Sequence, residues 1–163
     1  MIRSAVLSTL ALATFTACHG DRAERPAPVA EGAGLAVYEA LAPASPAPDV
    51  ASLYFVVVNR GATPESLLTI ESPSAQAMLH TVVEQAGRSL MQPAGPVAIA
   101  PGDTLRLRPG GYHVMLSNLT HPLLPGDSIA VSLGFSGGIN LRVVAHVLTY
   151  TEVVQRLDRL FGP

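Results

Sequence analysis

The chain has 163 residues, with ten basic side chains that are all Arg, twelve acidic ones and a formal charge of −2 at neutral pH. That length supports one domain with a real core, and without a basic patch or interleaved aromatic and Arg residues it excludes a nucleic-acid partner. Its single cysteine, Cys18, rules out an intramolecular disulfide.

Residues 1–18 read MIRSAVLSTLALATFTAC, with an early cation at Arg3, an apolar run from Ala5 to Phe15, and small Thr16 and Ala17 just before Cys18. This is an export signal of the lipoprotein type, with an ordinary cleaved signal as the alternative. The apolar run falls short of the roughly 20 residues a membrane span needs. A lone thiol in an exported protein is best explained as a lipid attachment point, so Cys18 is the expected site of a membrane anchor. Residues 19–34, HGDRAERPAPVAEGAG, are rich in Pro, Ala and Gly with mixed charges, and are expected to form a flexible tether.

From Leu35 onward, short β-type runs alternate with Gly, Pro, Asn and Asp. Strands are predicted near Leu35 to Leu41, Ser52 to Asn59, Ser66 to Ser72, Met78 to Gln85, Val97 to Ala100, Thr104 to Arg108, Tyr112 to Ser117, Ser128 to Phe135 and Leu141 to Thr149. Turn chemistry at Asn59-Arg60-Gly61, Ala86-Gly87-Arg88, Pro101-Gly102-Asp103, Pro109-Gly110-Gly111 and Pro125-Gly126-Asp127 separates them. The pattern predicts one all-β domain over residues 35–150, an antiparallel sandwich or barrel. In the tail, residues 151–163, Val153, Val154, Leu157, Leu160 and Phe161 fall near one face and fit a short helix capping the sandwich.

Four residues in this domain stand in the pattern H-x10-M-x21-H-x-M: His80, Met91, His113 and Met115. Imidazole nitrogen and thioether sulfur are soft, uncharged donors suited to Cu(I), whereas Ca(II) and Mg(II) want oxygen and structural zinc usually wants thiolate. Thioethers, unlike thiols, do not pair into disulfides, which suits an oxidising compartment. Alternation along Tyr112 to Ser117 puts Tyr112, Val114 and Leu116 on a core face and His113 and Met115 on the other, about 7 Å apart at their α-carbons. The second half is less constrained. A simple hairpin about Gly87 and Arg88 pairs Met91 with Glu84, so a bulge or bend is required to bring it to His80. Met78 can share the face of His80 but is read as a core filler. His121 is read as solvated, and His146 as packed within an apolar strand.

With no cysteine in the domain, a blue-copper electron-transfer site is excluded. No nucleophile elbow, phosphate loop or paired carboxylates appear, so no catalytic turnover is expected.

The stretch from Leu35 to about Val147 resembles the periplasmic copper chaperones that help assemble the binuclear copper centre of cytochrome oxidase. The four-donor spacing matches without insertion or deletion. Ser72-Pro73-Ser74-Ala75, the block from Pro101-Gly102-Asp103 through Arg108-Pro109-Gly110-Gly111-Tyr112-His113-Val114-Met115-Leu116, and Leu123-Leu124-Pro125-Gly126-Asp127 match as well. The resemblance implies a cupredoxin-like β-sandwich binding one Cu(I) at an exposed site. It also implies delivery to a periplasmic or membrane recipient such as a cytochrome oxidase subunit or assembly factor. Two departures stand out: Tyr38 to Pro43 lacks the Arg of the family's early aromatic-plus-Arg pair, and Thr81 replaces a Met often found directly after the first His. Without a long Met- and His-rich C-terminal tail, a second copper site is not expected. Copper buffering, or a metal-free β-sandwich lipoprotein, are the alternative functions.

Overall fold

The computed structural model describes residues 26–161 except 46 and 48. The signal segment, Cys18 and the first part of the expected tether lie outside the described residues. Eleven strands and one helix follow in order: β1 (Ala30–Gly32), β2 (Leu35–Pro43), β3 (Val50–Asn59), β4 (Glu65–Glu71), β5 (Gln76–Gln85), β6 (Arg88–Pro93), β7 (Val97–Ile99), β8 (Thr104–Arg106), β9 (His113–Ser117), β10 (Ser128–Phe135), β11 (Asn140–Leu148) and α1 (Tyr150–Phe161). All nine predicted strands are present.

The strands form one continuous hydrogen-bonded path, β6-β5-β9-β3-β2-β11-β10-β4-β7, with β1 added to β2 and β8 to β3. The path folds over on itself into a sandwich. Inward residues of both halves, among them Leu53, Phe55, Leu79, Val114, Leu133 and Val143, share one buried cluster. Strand β3 is the pivot. Its first half pairs with β9 and its second half with β8, while β2 takes the other edge. One pairing departs from the antiparallel expectation: β11 runs parallel to β2 through His146↔Leu41 to Leu148↔Pro43.

Two strands were not anticipated. Residues 30–32, placed in the tether by composition, pair with Leu35 to Val37 across a two-residue turn. Its Ala33 and Gly34 both have positive φ, 49° and 84°, the pattern of a type I′ hairpin. Strand β6 pairs with β5 across the same kind of turn at Ala86 (φ 51°) and Gly87 (φ 74°). Both turns place Ala where Asn or Asp usually signals the hairpin, so neither advertises itself.

The expected tail helix is present and spans 12 residues. Thr149 and Glu152 cap it reciprocally: the Glu152 carboxylate accepts from the Thr149 N–H (2.9 Å) and hydroxyl (2.6 Å), while the Glu152 N–H donates to Thr149 Oγ1 (3.4 Å). Val153 and Leu157 bury against Leu41 and Tyr54, covering the outer face of β2 and β3. No helix among the described residues is long and apolar enough to cross a membrane. Just after β3, the Arg60 guanidinium lies 5.4 Å from the Tyr38 ring centre and donates to its hydroxyl.

Candidate metal centre

Buried polar groups need partners, and four such side chains stand out: Asn59, Glu65, His80 and His113. The first two are structural. Asn59 donates to the carbonyls of Thr63 and Ile99 and accepts from the Gly61 N–H, and Glu65 accepts from the Ser136 hydroxyl and Gly137 N–H. The two histidines differ from these, and they stand side by side.

Strands β5 and β9 pair so that His80 lies directly opposite His113 and Met78 directly opposite Met115. Residues facing each other across an antiparallel pair share one face, so all four project from the same side of the sheet. Ser52 of β3 sits beyond Met115 on this face. The inward partners Leu79, Val114 and Leu116 are core. The predicted alternation over residues 112–117 is therefore found, with β9 itself beginning at His113.

His80 and His113 are 8% and 5% exposed, and their rings meet edge to face with centroids 5.9 Å apart. With metal–nitrogen bonds of about 2 Å, one ion fits between two rings at that spacing. His113 Nδ1 lies 3.0 Å from the Gly111 carbonyl; with the proton on Nδ1 this bond fixes the ring and leaves the Nε2 lone pair free. Gly111 belongs to the turn just before β9, held by Gly111 N–H to Arg108 carbonyl and Arg108 N–H to Tyr112 carbonyl bonds. His80 Nδ1 is buried without any hydrogen-bond partner, a deficit of roughly 1–3 kcal/mol for an ordinary buried polar atom that a metal–nitrogen bond would remove. Burial first, and the neighbouring His113 second, lower the His80 pKa below 6.5. Its imidazole is thus biased to the neutral form a metal requires.

Met91 is on this face too, by a different route from the one expected. The hairpin turns at Ala86-Gly87, so Met91 faces Val82 without a bulge, and Val82 shares the face of His80. Met91 therefore flanks His80 diagonally, on the side away from Met115, and is 64% exposed. The fold brings His80, His113 and Met115 into one cluster and sets Met91 at its rim, on the edge strand β6.

Met78 is not a core filler. It is 55% exposed, and its strand neighbours Ala77 and Leu79 take the core side. The signal was its even spacing from His80. His146 also departs from its packing assignment, being exposed on the outer face of β11, whereas His121 is exposed as expected. No group of three or more His, Cys, Asp or Glu converges among the described residues, so an ion held at this centre depends on thioether sulfur.

Comparisons with known proteins agree with this architecture. Residues 35–147 match the model of the LpqE-like family. A curated relative, "Putative lipoprotein Lxx21020" from Leifsonia xyli subsp. xyli (strain CTCB07), is 36% identical over 97 residues, which span 58% of this chain and 58% of that protein's length. Among solved structures, the copper-bound PCuAC domain from PmoF2 superposes with a TM-score of 0.60 at 20% identity, covering 71% of this chain and 93% of that one. The solution structure of the Cu(I) form of DR1885 from Deinococcus radiodurans gives a TM-score of 0.57 at 27% identity, covering 78% and 83%. The chain has the fold of these domains, and it belongs to the LpqE-like family.

Proposed function

We propose that this protein is an exported Cu(I)-binding metallochaperone that holds the ion with His80, His113, Met115 and Met91. It hands copper to an extracytoplasmic acceptor such as a cytochrome oxidase subunit or assembly factor. The observation carrying this reading is the opposition of two buried imidazoles, one with an unpartnered nitrogen, on a face that also presents thioethers. The Cu(I) form of DR1885, a structure of the same fold, supports it. So does donor chemistry, because neutral nitrogen and thioether donors favour a soft monovalent ion over harder ones.

Binding and release, not turnover, is the activity. The histidines are set deep and oriented, while Met91 stands exposed on an edge strand. An acceptor can displace the outer thioether first and take the ion by stepwise ligand exchange. A lipid on Cys18 would keep the domain at a membrane surface, with the segment before β1 as its tether; the lipoprotein name of the curated relative supports that placement.

X-ray absorption of the copper-loaded protein tests the centre. Mixed nitrogen and sulfur neighbours are expected, and a shell of oxygen and nitrogen alone would sink the assignment. A deletion strain tests delivery: oxidase activity should fall at low copper and recover when copper is added. Copper sensitivity without an oxidase defect would instead indicate buffering.

A further inference from the structure

We propose that Met78 is a direct thioether donor to the same ion, a position that the four-residue motif does not include. This rests on the Cu(I) reading above.

The register makes the case. Met78 lies opposite Met115 on the neighbouring strand and two residues before His80 on its own. With strands about 4.8 Å apart and about 6.8 Å per two residues, its α-carbon is roughly 5 Å from that of Met115, 7 Å from His80 and 8 Å from His113. By the same lattice Met91 is two strands from His113, at roughly 12 Å, and roughly 17 Å from Met115. Twist shortens the longer distances, yet the order is clear: Met78 is nearer to three of the donors than Met91 is to two of them.

Exposure agrees with the register. Met78 is 55% exposed, so its thioether is accessible to an ion from solvent. The α-carbons of His80, His113, Met115 and Met78 thus stand at the four corners of one compact patch of the sheet face, two carrying imidazole and two carrying thioether. Met91, at the rim, is then the thioether that exchanges with Met78 as the ion arrives or leaves.

The test uses the full chain labelled with 13C at the methionine methyls, which are only four, titrated with Cu(I) under reducing conditions. Expected is movement of the Met78 methyl together with that of Met115. Competition against a Cu(I) chelator should show Met78→Leu weakening binding about 10-fold or more, the scale of losses at metal sites, and more than Met91→Leu does. Leu preserves volume at an exposed position, so an unchanged melting temperature separates lost ligation from lost fold. The proposal is overturned if the Met78 methyl keeps its metal-free position, or if Met78→Leu binds Cu(I) within about 2-fold of wild type while Met115→Leu is impaired. Failure of the unmodified chain to bind Cu(I) overturns both this proposal and the reading beneath it.

Discussion

His80 and His113 face each other directly across β5 and β9, with ring centroids 5.9 Å apart and planes at 67°. Strands distant in sequence have brought two ionisable rings together in a nearly dry setting, where protonating both would put like charges side by side. Burial first and His113 second lower the His80 pKa, so His80 favours the neutral form that binds a soft cation. Met115, two residues after His113 on the same face, extends the pair with sulfur.

Met115→Leu keeps the volume and loses the sulfur. Its affinity for Cu(I) should fall about 10- to 100-fold, with a stability change below about 1.5 kcal/mol. A chelator competition and a urea melt of the same sample check both. Wild-type affinity in this variant would remove Met115 from the centre.

Proton binding should weaken the metal-free protein. The folded state holds the His80 pKa below its ordinary 6.5, through burial first and His113 second, so below pH 6.5 the unfolded chain binds more protons than the folded one. This contribution to stability is present above pH 6.5 and is lost as pH falls through the depressed folded value. His80→Asn should flatten that part of the pH–stability curve. Cu(I) should raise the melting temperature most near neutral pH, since copper and protons compete for the same lone pairs. An unaltered pH slope in His80→Asn would assign the titration elsewhere.

The strands legible in the sequence were those with an apolar face: β3, β10 and β11 carry it plainly. Strand β6, RSLMQP, is exposed at all six positions, so it has no apolar alternation to read and only its pairing with β5 defines it. The His113-x-Met115 half of the centre follows from local alternation. The register of His80 against His113 does not, because it is set by long-range pairing of β5 with β9. The exposure of Met78 is hidden for the same reason: a methionine in an apolar run reads as core until tertiary structure shows which face is covered.

Helix α1 should be separable from the metal centre. It packs on Leu41 and Tyr54, outside β2 and β3, and Thr149 caps its first turn. Thr149→Ala should cost about 1 kcal/mol while leaving Cu(I) affinity unchanged. The Thr149 hydroxyl first, and its N–H second, hold the Glu152 carboxyl below 4.5. The part of the cap made by the Glu152 carboxylate is therefore complete above that pH and lost as pH falls below it, and Thr149→Ala should weaken that acid dependence, keeping only the share due to the backbone N–H. Thermal melts from pH 3 to 7 with far-ultraviolet dichroism would check it. A parallel fall in copper affinity would mean that the helix supports the site.

Two glycines with similar backbone angles should respond differently to alanine. Gly34 (φ 84°) and Gly87 (φ 74°) are the second residues of the two hairpin turns. Both substitutions carry the left-handed penalty, about 1–2 kcal/mol. At Gly87 the added Cβ meets nothing within 4 Å, so that penalty is the whole effect. At Gly34 it would come within 2.8 Å of Gly61 Cα and 2.9 Å of Gly61 N. Both are backbone atoms, held where the Arg60 N–H donates to the Gly34 carbonyl (2.7 Å). Relief requires moving the β1–β2 turn away from the end of β3, so Gly34→Ala should cost roughly 2 kcal/mol more than Gly87→Ala. Urea midpoints of the two variants measure the difference, and equal losses would show that the turn yields freely. Because Gly87 closes the hairpin that carries Met91, its variant also reports on the centre: Cu(I) affinity should stay near wild type if the turn keeps its register, since β5 and β6 remain paired on either side of it.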